Sequence, residues 1–129
     1  MNMNLDILRL ATGLAAHAAQ RQGVIAENIA HADSPGYRAR DVAEFSTVAG
    51  GSGGLAMRTT RPGHIGAEKA AGLADVSELR NPATESPNGN TVSLEDQMIR
   101  AADVQHSHDL ALGIYRKSLD ILRIAGTRR

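Results

Sequence analysis

The sequence predicts a mainly α protein: long N- and C-terminal helices forming an antiparallel helical hairpin or coiled coil, joined by an irregular Gly/Pro-rich middle with room for short β segments. Three observations carry this. Apolar residues recur at alternating spacings of three and four at both ends, the first pattern stops abruptly at Ser34-Pro35-Gly36-Tyr37, and the centre has no helical period. Residues 1–33 form the expected N-terminal helix, 34–45 a turn and post-turn segment, 46–90 a flexible or extended middle, and 91–129 the C-terminal helix.

In the first helix Leu8, Ala11, Ala15, Ala18, Ile25, Ile29 and Ala32 make a heptad seam in which Gln22 is the polar member. Leu5 and Leu14 widen the stripe, Asn4 is placed to cap it, and at 1.5 Å per residue the helix would be roughly 45 Å long. The stop has a physical cause. Pro35 lacks a backbone N–H and drives Ser34 toward extended geometry, while Gly36 supplies the positive φ of a type II turn. Asn28 and Asp33, close to the helix end, are placed to satisfy nearby backbone groups.

Residues 46–90 are rich in turn formers, with Gly50-Gly51-Ser52-Gly53-Gly54, Arg61-Pro62-Gly63, Asn81-Pro82 and Pro87-Asn88-Gly89-Asn90. Leu55–Thr60 could make one short strand, but no alternation is long enough for a sizeable sheet. The C-terminal seam comprises Leu94, Met98, Ala101, Leu112, Tyr115, Leu119 and Leu122, with Gln105 and His108 in its polar slots. Ser93 and Asp96 suggest a capping box, Glu95 and Asp96 suit the first turn, Arg123 suits the last, and Gly126 suits the stop. Leu8, Ala15, Ala18, Ile25 and Ile29 are expected to pack toward Leu112, Leu119 and Leu122. Gln22, Gln105 and His108 either face solvent or fix helix register. Two such helices cannot bury all their apolar faces on each other, so the core is expected to be completed by neighbouring copies.

Composition excludes several functions. The 129 residues carry 14 basic and 14 acidic side chains, so no basic excess favours nucleic acid or an anionic membrane. Phe45, Tyr37 and Tyr115 are the only aromatics, and cysteine is absent, which removes disulfides, thiolate metal sites and cysteine nucleophiles. No run approaches the ~20 apolar residues of a membrane span. Ala16-His17-Ala18 mimics a signal cleavage site, but Asp6 and Arg9 interrupt the preceding apolar run and a basic leader is missing, so the N-terminus is expected to be retained. His106 and His108 point about 200° apart on a helix and cannot share a metal as an i, i+4 pair can. With no P-loop and no Gly-x-Ser-x-Gly elbow either, no enzyme activity, cofactor or metal is expected.

Arg21 through Phe45 resembles the N-terminal motif of the flagellar rod and hook axial protein family, and Tyr37-Arg38-Ala39-Arg40-Asp41 with Phe45 is similar to its proximal rod members. Thr60-Arg61-Pro62-Gly63-His64-Ile65 resembles the family's Thr-x-Pro-x-His segment. Asn88-Gly89-Asn90-Thr91-Val92-Ser93-Leu94-Glu95 resembles the Gly-Asn-x-Val lead into its last helix. His31 stands where the family usually has asparagine, and Ser34 where threonine is commoner. The resemblance implies a non-enzymatic, self-assembling component of the basal-body rod that transmits torque, lines the export channel, and is exported by the type III route without a cleavable signal peptide. It implies as partners other copies and other rod proteins, the rod adaptor protein FliE, and the inner-membrane ring or export gate. It also marks Asn28, Asp33, Ser34, Pro35, Gly36 and Tyr37 as the motif and turn. Tyr37 either anchors the post-turn segment or faces a neighbour. The competing readings are another rod paralogue and a small helical cytoplasmic adaptor or chaperone.

Overall fold

The computed structural model describes residues 2–46, 74–79 and 85–127, with side chains from residue 6. Its described elements are α1 (Asn2–Ala30), β1 (Arg40–Val42), β2 (Val76–Glu78) and α2 (Leu94–Gly126). The structure is thus mainly helical with one small antiparallel sheet, in which Arg40, Asp41 and Val42 pair with Glu78, Ser77 and Val76. Asn4 lies inside α1 rather than at its cap. The suggested strand at Leu55–Thr60 lies outside the described residues, as do the turns at 50–54, 61–63 and 81–82 and the Thr60–Ile65 motif.

α2 starts where capping chemistry places it. Ser93 has extended backbone and its hydroxyl accepts the Asp96 N–H, with Glu95 and Asp96 in the first turn. The Asp96 carboxylate turns to Arg100 instead of completing a capping box. The helix runs through Gly126 and ends at Thr127, one residue later than the glycine suggested.

α1 and α2 pack on each other. Ala18 and Ile25 form one buried cluster with Val104, flanked by Ala101. The buried residues of α2 are Gln97, Val104, Ala111 and Ser118, spaced by seven. Their counterparts on α1 are Ala11, Ala18 and Ile25, joined by Asn28. On α1 the buried Ala11, Ala18 and Ile25 are members of the expected seam, whereas on α2 the buried line is rotated from the expected one. Met98 is 66% exposed, Leu94 48%, Ile29 41% and Tyr115 37%, and Gln22 and Gln105 are exposed as well. Leu8, Ala15, Ala101, Leu112, Leu119 and Leu122 are half-buried at the seam's edge.

The rotation has two causes. Small residues at Ala111 and Ser118, facing the alanines of α1, let the backbones approach, whereas apolar spacing on α2 favours the bulky Leu112 and Leu119 beside them. Asn28 and Gln97 are buried because they bond each other at 3.0 Å, and Ser118 because its hydroxyl bonds the Ile114 carbonyl.

A second cluster lies on another face of α1, where Val24 meets Val42, Ala74 and Val76. Residues 37–45 therefore form a strap laid along α1, with β2 outside it.

Candidate functional site: the joint of helix, strap and second helix

The turn is a hydrogen-bonded four-residue turn: Tyr37 N–H donates to the Ser34 carbonyl at 3.3 Å, with Pro35 second and Gly36 third at φ 71°. That is type II geometry, as Pro35-Gly36 predicts. Gly36 N–H donates to the Asn88 carbonyl, and Gly89, whose φ of 81° favours glycine, lies against Gly36, where an added Cβ would be in ordinary contact at 3.5 Å from Gly36 Cα. The Asn88-Gly89-Asn90 motif is thereby seated on the Ser-Pro-Gly motif.

Asn90 makes that seating strong. Its buried Nδ2 lies 2.8–2.9 Å from the carbonyls of His31, Ala32 and Ser34, which share its two N–H donors, while Oδ1 accepts from Val92 N–H. These carbonyls follow the last turn of α1, where acceptors have no helical partner, so one side chain caps the first helix and orients the approach to the second. Thr91 adds two bonds: its hydroxyl accepts Ala39 N–H at 2.8 Å and its own N–H donates to the Tyr37 carbonyl.

Asn28 is the other buried hub. Nδ2 donates to the Arg40 carbonyl at 2.7 Å and to Gln97 Oε1, and Oδ1 accepts Arg40 N–H and the Tyr37 hydroxyl. It does satisfy backbone, as expected, but that of the strap twelve residues on. The Tyr37 ring stacks on His31 with centroids 4.6 Å apart, so within the chain Tyr37 anchors the strap to the end of α1. Histidine at position 31 supplies that aromatic contact. Asp33 is exposed.

Asp41 ties three elements together. It takes a bidentate pair of bonds from Arg21 on α1 (2.9 and 2.8 Å) and one from Arg100 on α2 (2.6 Å), and Arg100 is also held by Asp96 at 2.7 Å. Burial pushes the Asp41 carboxyl up, but the Arg21 hydrogen bonds, the Val42 N–H and the charges of Arg21 and Arg100 outweigh it and hold it below the usual carboxylate range. The bond to Asp41 in turn raises Arg21.

The remaining strap contacts come from one stripe of α1. His17 Nε2 donates to the Ala43 carbonyl at 2.6 Å and its ring lies 5.6 Å from that of Phe45. Gln20 bonds both the N–H and the carbonyl of Ala74, and Glu27 pairs with Arg40. His17, Gln20, Arg21, Val24, Glu27, Asn28 and His31 follow spacings of three and four, the same helical period as the apolar seam but displaced around the helix. That polar stripe was the available signal for the dock, and a search for apolar periodicity passes over it.

Past Phe45, on the same side of the helix pair, the surface becomes aliphatic: Ile7 and Leu10 on α1, Leu110, Ile114, Ile121 and Ile124 on α2. Ile29, Leu94 and Met98 are exposed on the opposite flank. No helix among the described residues is long and apolar enough to cross a membrane, and among them no group of three or more acidic or histidine side chains could hold a metal.

The described residues thus form a helix pair joined by two interlocked glycine turns, with aliphatic side chains left outside. Comparison with known proteins gives the family. The chain is 35% identical over 109 residues to the flagellar basal body rod protein FlgB of Salmonella typhimurium, covering 78% of each chain. It is 34% identical over 101 residues to that of Escherichia coli K12, covering 73% of each, and 29% identical over 109 residues to that of Agrobacterium fabrum, covering 82% of this chain and 81% of the relative. No protein-family model matches the chain. It belongs to the FlgB family of flagellar basal body rod proteins.

Proposed function

We propose that the protein is a non-enzymatic subunit of the basal-body rod, in which α1 and α2 act as an antiparallel coiled-coil hairpin that packs against neighbouring subunits, transmits torque and helps line the export channel. The observation that carries this reading is the uncovered aliphatic surface on both flanks of the helix pair, with Ile114 and Ile121 on one flank and Leu94 and Met98 on the other. An apolar surface of this kind marks an interaction site, and two unlike apolar flanks favour heterologous contacts, which generate rings or helical filaments rather than closed dimers. Its neighbours are other copies and other rod proteins, the adaptor FliE, and the membrane ring or export gate beneath. The expected assembly residues are Leu8, Ala15, Ala18, Ile25, Ile29, Met98, Leu112, Tyr115, Leu119 and Leu122, of which the seam members Ala18 and Ile25 serve the hairpin itself. The chain reaches the periplasmic rod by type III export with its N-terminus intact.

The test is complementation of a flagellated bacterium lacking its own copy. The parent chain restores swimming and rods in isolated basal bodies. A chain carrying Ile114→Asp and Ile121→Asp is expected to be exported at the parent level yet to leave basal bodies without rods. Normal swimming by that variant would overturn the proposal.

A further inference from the structure

The seam between α1 and α2 specifies direction poorly along its length. Its buried members recur every seven residues as Ala11, Ala18 and Ile25 on one helix, and as Gln97, Val104, Ala111 and Ser118 on the other. Small side chains at four of these seven positions offer few knobs of distinctive volume, so a slip of one heptad, about 10 Å along the axis, leaves small groups facing small groups again. A seam this uniform needs register information from elsewhere.

Asn90 seats the lead into α2 on the end of α1, and the information that acts on the helices themselves lies where the strap crosses the pair. Asp41, on the strap, accepts from Arg21 of α1 and Arg100 of α2 through the same carboxylate, with Oδ2 shared between them at 2.8 and 2.6 Å. One layer away, Asn28 binds both edges of the strap residue Arg40 and the side chain of Gln97. In each layer a single side chain contacts α1, the strap and α2. Neither set can be made in a register slipped by a heptad, since Arg100 and Gln97 would move about 10 Å from Asp41 and Asn28. Gln97 Nε2 is buried without a partner, so this layer contains a desolvated donor that apolar residues would not. A polar buried contact that weakens a seam while fixing its register is a known use of such residues.

We propose that the strap is a register latch: docked through Asp41 and Asn28 it holds α1 and α2 in one alignment, and with its bonds removed the pair samples alignments displaced by a heptad. The latch acts within a single chain and does not depend on the rod reading.

Spin labels at two exposed positions measure the alignment. Gln22→Cys and Lys117→Cys are well separated along the pair, and the chain has no native cysteine to interfere. Pulsed dipolar spectroscopy on the full-length labelled chain is expected to give one narrow distance distribution. Adding Asp41→Asn should produce a second population displaced by about 10 Å, the length of one heptad. Adding Asn28→Leu with Gln97→Leu should do the same while keeping the helical circular dichroism, because the replacement is apolar and of similar size. A single unshifted distance in both variants overturns the latch. Should Asp41→Asn lose its helical signal, the Leu pair decides: a second distance supports the latch, and one distance refutes it.

Discussion

The two ends of the helix pair solve opposite problems. At the strap end, side chains of His17, Gln20, Arg21, Glu27, Asn28 and His31 all find partners on the strap or beside it, and Asn90 closes the carbonyls at the end of α1. At the far end, Ile7, Leu10, Leu110, Ile114, Ile121 and Ile124 keep large apolar groups in solvent. The polar stripe at the strap end is saturated by its own chain, although Ile29, Leu94 and Met98 stay exposed on the other flank there, and the apolar surface at the far end is not covered at all. The same helices can thus be held internally by directional polar bonds and remain free to gain stability from non-directional apolar burial, with little competition between the two.

Removing Asn90 should break the saturated end most. Asn90→Ala leaves the Ala32 carbonyl and the Val92 N–H without this partner and strips a second bond from the His31 and Ser34 carbonyls, which keep the Ser34 and Tyr37 N–H groups. Each buried unpaired group costs about 1–3 kcal/mol before relaxation or water entry. A net loss of about 2–4 kcal/mol is expected, read by urea unfolding of the whole chain. A loss below about 1 kcal/mol would show that the two turns seat on each other without it.

Asp41 comes next, through pH. Its folded pKa lies below its unfolded value near about 3.9, so the stability it contributes is fully present above that value and is lost as pH falls through the folded pKa. In that interval the unfolded state binds more protons, and stability rises with pH. Arg21 of α1, Arg100 of α2 and the Val42 N–H face the carboxylate, and Asp96 of α2 holds Arg100. Asp41→Asn is expected to cost about 1–3 kcal/mol at neutral pH and to flatten the acid limb of the stability profile, measured by denaturant titration at several pH values. An unchanged acid slope would locate the acid sensitivity in other carboxylates.

The open end should respond in the reverse sense. Ile114→Asp with Ile121→Asp removes apolar groups that are 38% and 52% exposed, so unfolding of the isolated chain should shift by no more than about 1 kcal/mol per site while assembly is lost. Destabilisation of the isolated chain by several kcal/mol would mean that this surface is already covered within it.

How far the sequence revealed this arrangement depends on which signal each part leaves. The helices, the Pro35-Gly36 turn and the Ser93 start are local, and period, cap and turn chemistry announce them within a few residues. The strap is non-local. β1 pairs with Val76–Glu78 across more than thirty residues, and nothing in three-residue strands alternates enough to be seen. On α2 the seam lies beside the apolar spacing because polar residues are buried there in pairs. Asn28 and Gln97 stand 69 residues apart, and each looks like a surface residue until the other is placed beside it. Asn28 and Tyr37 stand out as motif residues, but their partners, Arg40 and His31, come to them only when the chain folds back.

Gln105 gives the smallest effect and sharpens the contrast furthest. Heptad spacing offers it as a register-fixing member of the seam, yet it is exposed and bonds Asp109 one turn along its own helix at 3.2 Å. An exposed bond of this kind is worth only about 0.2–0.5 kcal/mol. Gln105→Leu should therefore change unfolding by no more than about 0.5 kcal/mol and leave the spin-label distance between positions 22 and 117 single and unshifted. Asn28→Leu with Gln97→Leu, a substitution of the same chemical kind at the buried layer, should not. If the Gln105 variant broadened the distance instead, register would be written along the whole helix pair, and the division between a saturated end and an open one would fail.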